Sequence, residues 1–91
     1  MQNCKDYGFR DQIQRAAVSI MNNIAEGSFR NSATEFYRYL EIANSSNMEV
    51  KSMLYLALDL RYISQQKHDT IQSQSEEILK MIISLQRTLQ K

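Results

Sequence analysis

Three observations predict an all-α fold, an antiparallel up-down helical bundle with three long helices in this chain. The 91 residues include no proline and only two glycines, Gly8 and Gly27, so almost nothing interrupts a helix. Apolar residues recur at steps of three and four along most of the sequence, the spacing that gathers them on one side of a helix. Ser32-x-x-Glu35 stands just ahead of an apolar run as a capping box. One domain, residues 1–91, has room for a single core with a thin stability margin, which association between copies would relieve.

The first helix is expected over about residues 9–26. Met1 to Gly8 carries no periodic pattern, and Gly8 lets the backbone turn into the helix. Ile13, Ala16/Ala17, Ile20 and Ile24 form the apolar side, and Gly27 stops the periodicity. A second line, Asp11, Arg15, Ser19, Asn22 or Asn23 and Glu26, steps by about one turn. It reads either as a shared polar network or as a solvated face with an ordinary Asp11–Arg15 pair.

After a short turn, the second helix is expected over about residues 32–62, antiparallel to the first. Phe36, Leu40, Ala43, Asn47, Val50, Leu54 and Ala57 follow strict four-three steps, a heptad seam. Tyr39, Ile42, Met53, Leu56 and Leu60 run beside it, and Met53 to Leu58 is apolar nearly all round, so this helix has neighbours on more than one side. Asn47 interrupts the seam. Buried, its amide restrains register or subunit number, and replacement by Leu raises stability while loosening that restraint; alternatively, Asn44 to Asn47 faces water.

Arg61 to Lys67 is expected as a connector, with Asp69 capping a third helix over about residues 69–90. Ile71, Ser75, Ile78, Ile82, Leu85 and Leu89 step four-three, with Leu79 and Ile83 widening the stripe that packs on the second helix. Acid lies early (Asp69, Glu76, Glu77) and base late (Lys80, Arg87, Lys91), which suits the helix dipole.

The formal net charge of +1, from 11 Lys+Arg against 10 Asp+Glu, supplies no global field for nucleic acid or membrane. No apolar run reaches the ~18 residues of a membrane span, and the polar start MQNCKDYGFRDQ is no signal peptide. Cys4 is a single cysteine without an intrachain partner, a free thiol that fits a reducing, cytoplasmic setting. His68, the one histidine, falls in the connector as a solvated residue, so metal clusters and nucleophile–histidine pairs lack their parts. No acid pair and no glycine-rich phosphate cradle stands out, so neither an enzyme nor a cofactor is expected. Met21 and Met53 read as gap-fillers on apolar faces. The candidate nucleic-acid contacts are Arg15, Arg30, Arg38 and Lys51, interleaved with Phe29, Tyr37 and Tyr39, because arginine beside an exposed aromatic binds phosphate and stacks a base.

Arg15-Ala16-Ala17-Val18-Ser19-Ile20, then Asn23-Ile24-Ala25-Glu26-Gly27, Arg30, Glu35-Phe36, Leu40-x-Ile42-Ala43 and Leu60-x-Tyr62-Ile63 resemble the bacterial four-helix-bundle family of 23S ribosomal RNA intervening-sequence proteins. The likeness runs from about Tyr7 to Leu89. It implies a non-enzymatic oligomeric scaffold, a homopentamer in relatives. It also implies RNA or DNA as a partner, with a reverse transcriptase in the accessory branch of diversity-generating retroelements. Ser19, Asn23, Glu26 and Asn47 are the candidate interface or packing polar residues. The sequence departs from the family in three ways. Eight residues before Phe9 cannot supply the usual first helix, so oligomerisation is expected to complete the bundle. Gln14-Arg15 stands where relatives tend to pair arginines, and Asn44-Ser45 with Asn47 replaces a Gly-Ser-Leu pattern. A purely structural or protein-binding module is the competing expectation.

Overall fold

Asp6 sets the start of the first helix. Its carboxylate accepts from the Phe9 backbone N–H at 3.0 Å, leaving Tyr7 and Gly8 inside helix α1, Tyr7–Ser28. The expected bounds of 9–26 are therefore too narrow at both ends, and Gly8 is a helical residue, not a turn. The computed structural model describes residues 5–90; Cys4 and Lys91, whose roles were read from sequence, lie outside the described residues.

Gly27 does not stop α1. It is buried within the last turn, where an added Cβ would lie 2.7 Å from Tyr39 Cβ and 2.8 Å from Phe36 Cδ1. The missing side chain is what lets α1 cross this close to the next helix. Ser32 then caps α2, Ala33–Asp59, its hydroxyl accepting from Glu35 N at 3.3 Å. Helix α2 ends three residues earlier than the pattern suggests. Arg61 enters the left-handed region at φ 60, with Tyr62 N donating to Ala57 O at 2.8 Å and Arg61 N to Leu58 O at 3.0 Å. Those two bonds are a Schellman stop, made here without glycine.

Ser64, not Asp69, caps the third helix: its hydroxyl accepts from Lys67 N at 3.1 Å, and α3 spans Gln65–Leu89. The connector shrinks accordingly, and the first turn of α3 carries no acid. This extra turn places His68 on the helix side that faces α2, where it is 4% exposed. The expectation of a solvated loop histidine is wrong for that reason.

Helix α2 lies between the other two, antiparallel to both, and α1 does not pack on α3. The seam holds: Leu40, Ala43, Val50, Leu54 and Ala57 join Phe9, Ile13, Ala16, Ile20, Ile63 and Ile82 in one core, Asn47 is buried among them in the seam, and Phe36 is partly buried against the core. The line beside it divides, with Met53 buried while Ile42, Leu56 and Leu60 remain half exposed. Met21 is no gap-filler; it stands exposed. Among the described residues every element is helical, and no helix is long and apolar enough to cross a membrane.

Candidate functional site

The four candidate cations stand in three places. Arg15 is an exposed residue of α1, bound by its own Asp11 at 3.0 Å, so this part of the polar line is the solvated pair. Lys51 faces α3 and pairs with Glu76 across the α2–α3 seam. That contact raises the lysine's pKa and lowers the glutamate's. Arg30 and Arg38 come together at the α1–α2 turn, lining one shallow depression with Glu35, Tyr39 and Ile42.

Within that depression Arg30 is anchored and Arg38 is not. The Arg30 Nη2 donates to Glu26 Oε1 at 2.6 Å and to the Tyr39 hydroxyl at 2.9 Å. Its guanidinium carbon lies 5.3 Å from the Tyr39 ring centroid. Glu26, Gly27, Arg30 and Tyr39 thus form one clamp: the glycine admits the tyrosine, and the tyrosine and glutamate hold the arginine. Arg38 makes no hydrogen bond or ion pair with any described residue. Phe29, the C-cap residue of α1, is 82% exposed. Tyr37, one of the aromatics interleaved with the candidate cations, is half-buried and accepts from Gln90 Nε2 at 3.3 Å.

Of the polar candidates, Ser19, Asn23 and Asn47 fall on the two helix seams, and Glu26 belongs to the clamp. Ser19 and Ser46 hydroxyls share a hydrogen bond of 2.7 Å between α1 and α2, and Asn23 Nδ2 donates to Ser19 O at 2.8 Å and Oγ at 3.0 Å. This lower part of the polar line is the shared network. Asn47 is 2% exposed; its Nδ2 donates to Ser75 O at 3.0 Å and its Oδ1 accepts from Ser75 Oγ at 2.9 Å. Both ends of the amide are satisfied within the chain, so Asn47 fixes the register of α3 on α2.

Sequence reasoning did not single out Ser46, Tyr39 as a clamp residue, or the buried group around His68. There Nδ1 lies 3.3 Å from Asp69 Oδ1, and the ring packs 5.0 Å from that of Tyr55. Gln72 Nε2 donates to the Tyr55 hydroxyl at 3.4 Å. His68, Ser75 and Ile82 recur every seven residues, a signal that emerges only once the helix start moves back to Ser64. Among the described residues no group of three or more His, Cys, Asp or Glu is placed to hold a metal ion.

The largest consequence of the layout is an open groove. Because α1 and α3 each pack on α2 while their backbones stay apart, they form walls over a floor of Asn47, Val50 and Leu54. Ile13, Ala17, Ile20 and Met21 line one side and Ile71, Gln74, Ser75 and Ile78 the other. Arg10, at one end, is the one charged residue in the lining among those described.

The sequence model of the 23S rRNA-intervening sequence protein family matches residues 1–84. A crystal structure of a protein of unknown function from the S23 ribosomal protein family of Bacteroides thetaiotaomicron VPI-5482 is similar, with a TM-score of 0.89 and 30% identity. The match covers 93% of this chain and 79% of that one. No curated protein matches the chain significantly.

Proposed function

The chain belongs to the 23S rRNA-intervening sequence protein family, and on that premise we propose that it is a non-enzymatic helical scaffold that works as a homo-oligomer. The observation that carries this reading is the groove. Over buried Ile13, Ile20, Val50 and Leu54, its walls leave Met21 71% exposed and Ile71 and Ile78 partly exposed to water, and each apolar Å² covered contributes about 25 cal/mol. Light scattering coupled to size exclusion at micromolar concentration tests it. A species of at least twice the 10.7 kDa chain mass is expected, and a clean monomer defeats the proposal.

RNA or DNA association is the finer part of the proposal, located at the α1–α2 turn. Arg38 supports it, as the candidate cation with no acid bonded to it, set in one depression with Arg30 and Tyr39. The competing module without nucleic-acid binding draws support from the other three cations, each already neutralised by Asp11, Glu26 or Glu76.

A further inference from the structure

We infer that the depression at the α1–α2 turn binds one unpaired nucleotide, with Arg38 on its phosphate and Glu35 reading the donor edge of a guanine base. The inference rests on the nucleic-acid association just proposed and names what that site recognises.

Glu35, Arg38 and Ile42 follow one another at steps of three and four residues along α2, so they share one side of that helix. With Arg30 and Tyr39 they line a depression of about 340 Å³. That volume is near the lower end of small-molecule sites, so it suits a single nucleotide and not a duplex.

Glu35 has no task within the fold that uses its carboxylate. Ser32 makes its half of the capping box, accepting from Glu35 N at 3.3 Å, but the Glu35 carboxylate makes no hydrogen bond or ion pair with any described residue. It lies close enough to Arg30 to help hold that arginine's charge, after Tyr39 and Glu26. A site that gathers only phosphate is weakened by such an acid. A carboxylate is a pure acceptor, and among the standard bases guanine alone sets two donors, N1–H and the N2 amine, side by side to meet both its oxygens. In a duplex cytosine occupies those donors, so the edge is open only in an unpaired strand. Arg38, one turn further along α2, is exposed and has no acid bonded to it, which leaves it for the phosphate. The same walls serve the face of the base. Glu26 and Tyr39 hold Arg30 in place, which offers a fixed guanidinium plane for stacking, and Ile42 adds apolar surface at 49% exposure.

Fluorescence anisotropy at low salt tests this with a short oligouridine strand whose central base is guanine, hypoxanthine or uracil, and with the guanine strand paired to its complement. Hypoxanthine lacks only the N2 amine. Wild type is expected to bind the guanine strand about fivefold or more tighter than the other strands or the duplex. Glu35→Gln is expected to erase the difference between the three bases. The hypoxanthine comparison needs no variant, so it holds even if Glu35→Gln alters the start of α2. Ribose and deoxyribose versions of the strands identify the nucleic acid, and a guanine preference in either supports the inference. Equal affinity for all three bases, with Glu35→Gln binding each more tightly, shows a carboxylate that only repels. Duplex binding as tight as that of the guanine strand shows a site that reads backbone alone. Each of those two results overturns the guanine reading while nucleic-acid association stands. Absence of binding by wild type to every strand overturns both.

Discussion

Gly27 and Asn47 each do something at the residue scale that neither residue type announces. Gly27 reads as a helix stop because glycine so often ends helices, whereas here its lack of a side chain admits Tyr39 and Phe36. Alanine is the better helix former by about 1 kcal/mol, yet its Cβ would overlap Tyr39 Cβ, an atom fixed to the backbone. The overlap wins: Gly27→Ala is expected to cost about 1–2 kcal/mol net, lowering the midpoint of thermal unfolding by several degrees and loosening the clamp on Arg30. An unchanged melting curve would show that the helices simply move apart. Asn47 invites the opposite error. In a seam viewed alone, Leu looks stabilising, but Asn47→Leu leaves the Ser75 hydroxyl and its carbonyl without their buried partner. A loss of about 1–3 kcal/mol is expected. Adding Ser75→Ala should recover part of it, and a double-mutant cycle of chemical denaturation reads the coupling.

At the scale of the element, the sequence conveyed helix identity far better than helix ends. The four-three periodicity of α2 and α3 is a local property, repeated over many turns, and it survives into the buried seam. The ends depend on which of two signals wins. Ser64 caps α3, and a start expected at Asp69 leaves His68 outside the helix. Asp6, by contrast, lies in a stretch with no periodicity to flag it. Its carboxylate accepts from Phe9 N and from the Tyr62 hydroxyl at 2.8 Å, ties that hold its pKa below the ordinary value, the backbone bond foremost. Asp69 is lowered first by Gln65 and then by His68, and Glu76 by Lys51. A carboxylate with a depressed folded pKa binds its proton more readily in the unfolded chain. The stability it contributes is complete above the unfolded values of about 4 and is lost as pH falls through the folded ones. Thermal unfolding followed from pH 7 downward should therefore stay level to about pH 5 and decline below. Asp6→Asn, which keeps a capping oxygen but cannot titrate, should flatten the acid response of amide exchange in the first turn of α1. A response identical to wild type would assign that decline to other groups.

On the scale of the whole molecule, the candidate site was legible as a set of residues and illegible as a charge balance. Arg15, Arg30, Arg38 and Lys51 are all identifiable in the sequence as cations near aromatic or polar neighbours. What cancels them is tertiary: Lys51 meets Glu76 from another helix, and Arg30 is clamped by Glu26 and Tyr39. At three of these four cations a polyanion must therefore compete with a bonded carboxylate; Arg38 alone of the four has none bonded to it, although Glu35 lines the same depression. With a net charge of +1, no long-range field adds to that contact. Nucleic-acid binding by a single chain is thus expected to be weak, with a salt slope near that of one phosphate, about 0.9 on duplex or 0.7 on single strands. Association of chains should raise the slope in proportion to the Arg38 residues that reach one strand. Titration of labelled RNA and DNA across salt concentrations reads this directly. Arg38→Glu should abolish binding and Arg30→Glu should weaken it. Arg15→Glu should do little, since Arg15 lies about 18 Å along α1 from Gly27 at helical rise and is already balanced by Asp11. If Arg15→Glu proves as damaging as Arg38→Glu, the contact lies on the outer face of α1 and not at the turn. Absence of binding by wild type at low salt leaves a scaffold whose partners are proteins, with the groove as its working surface.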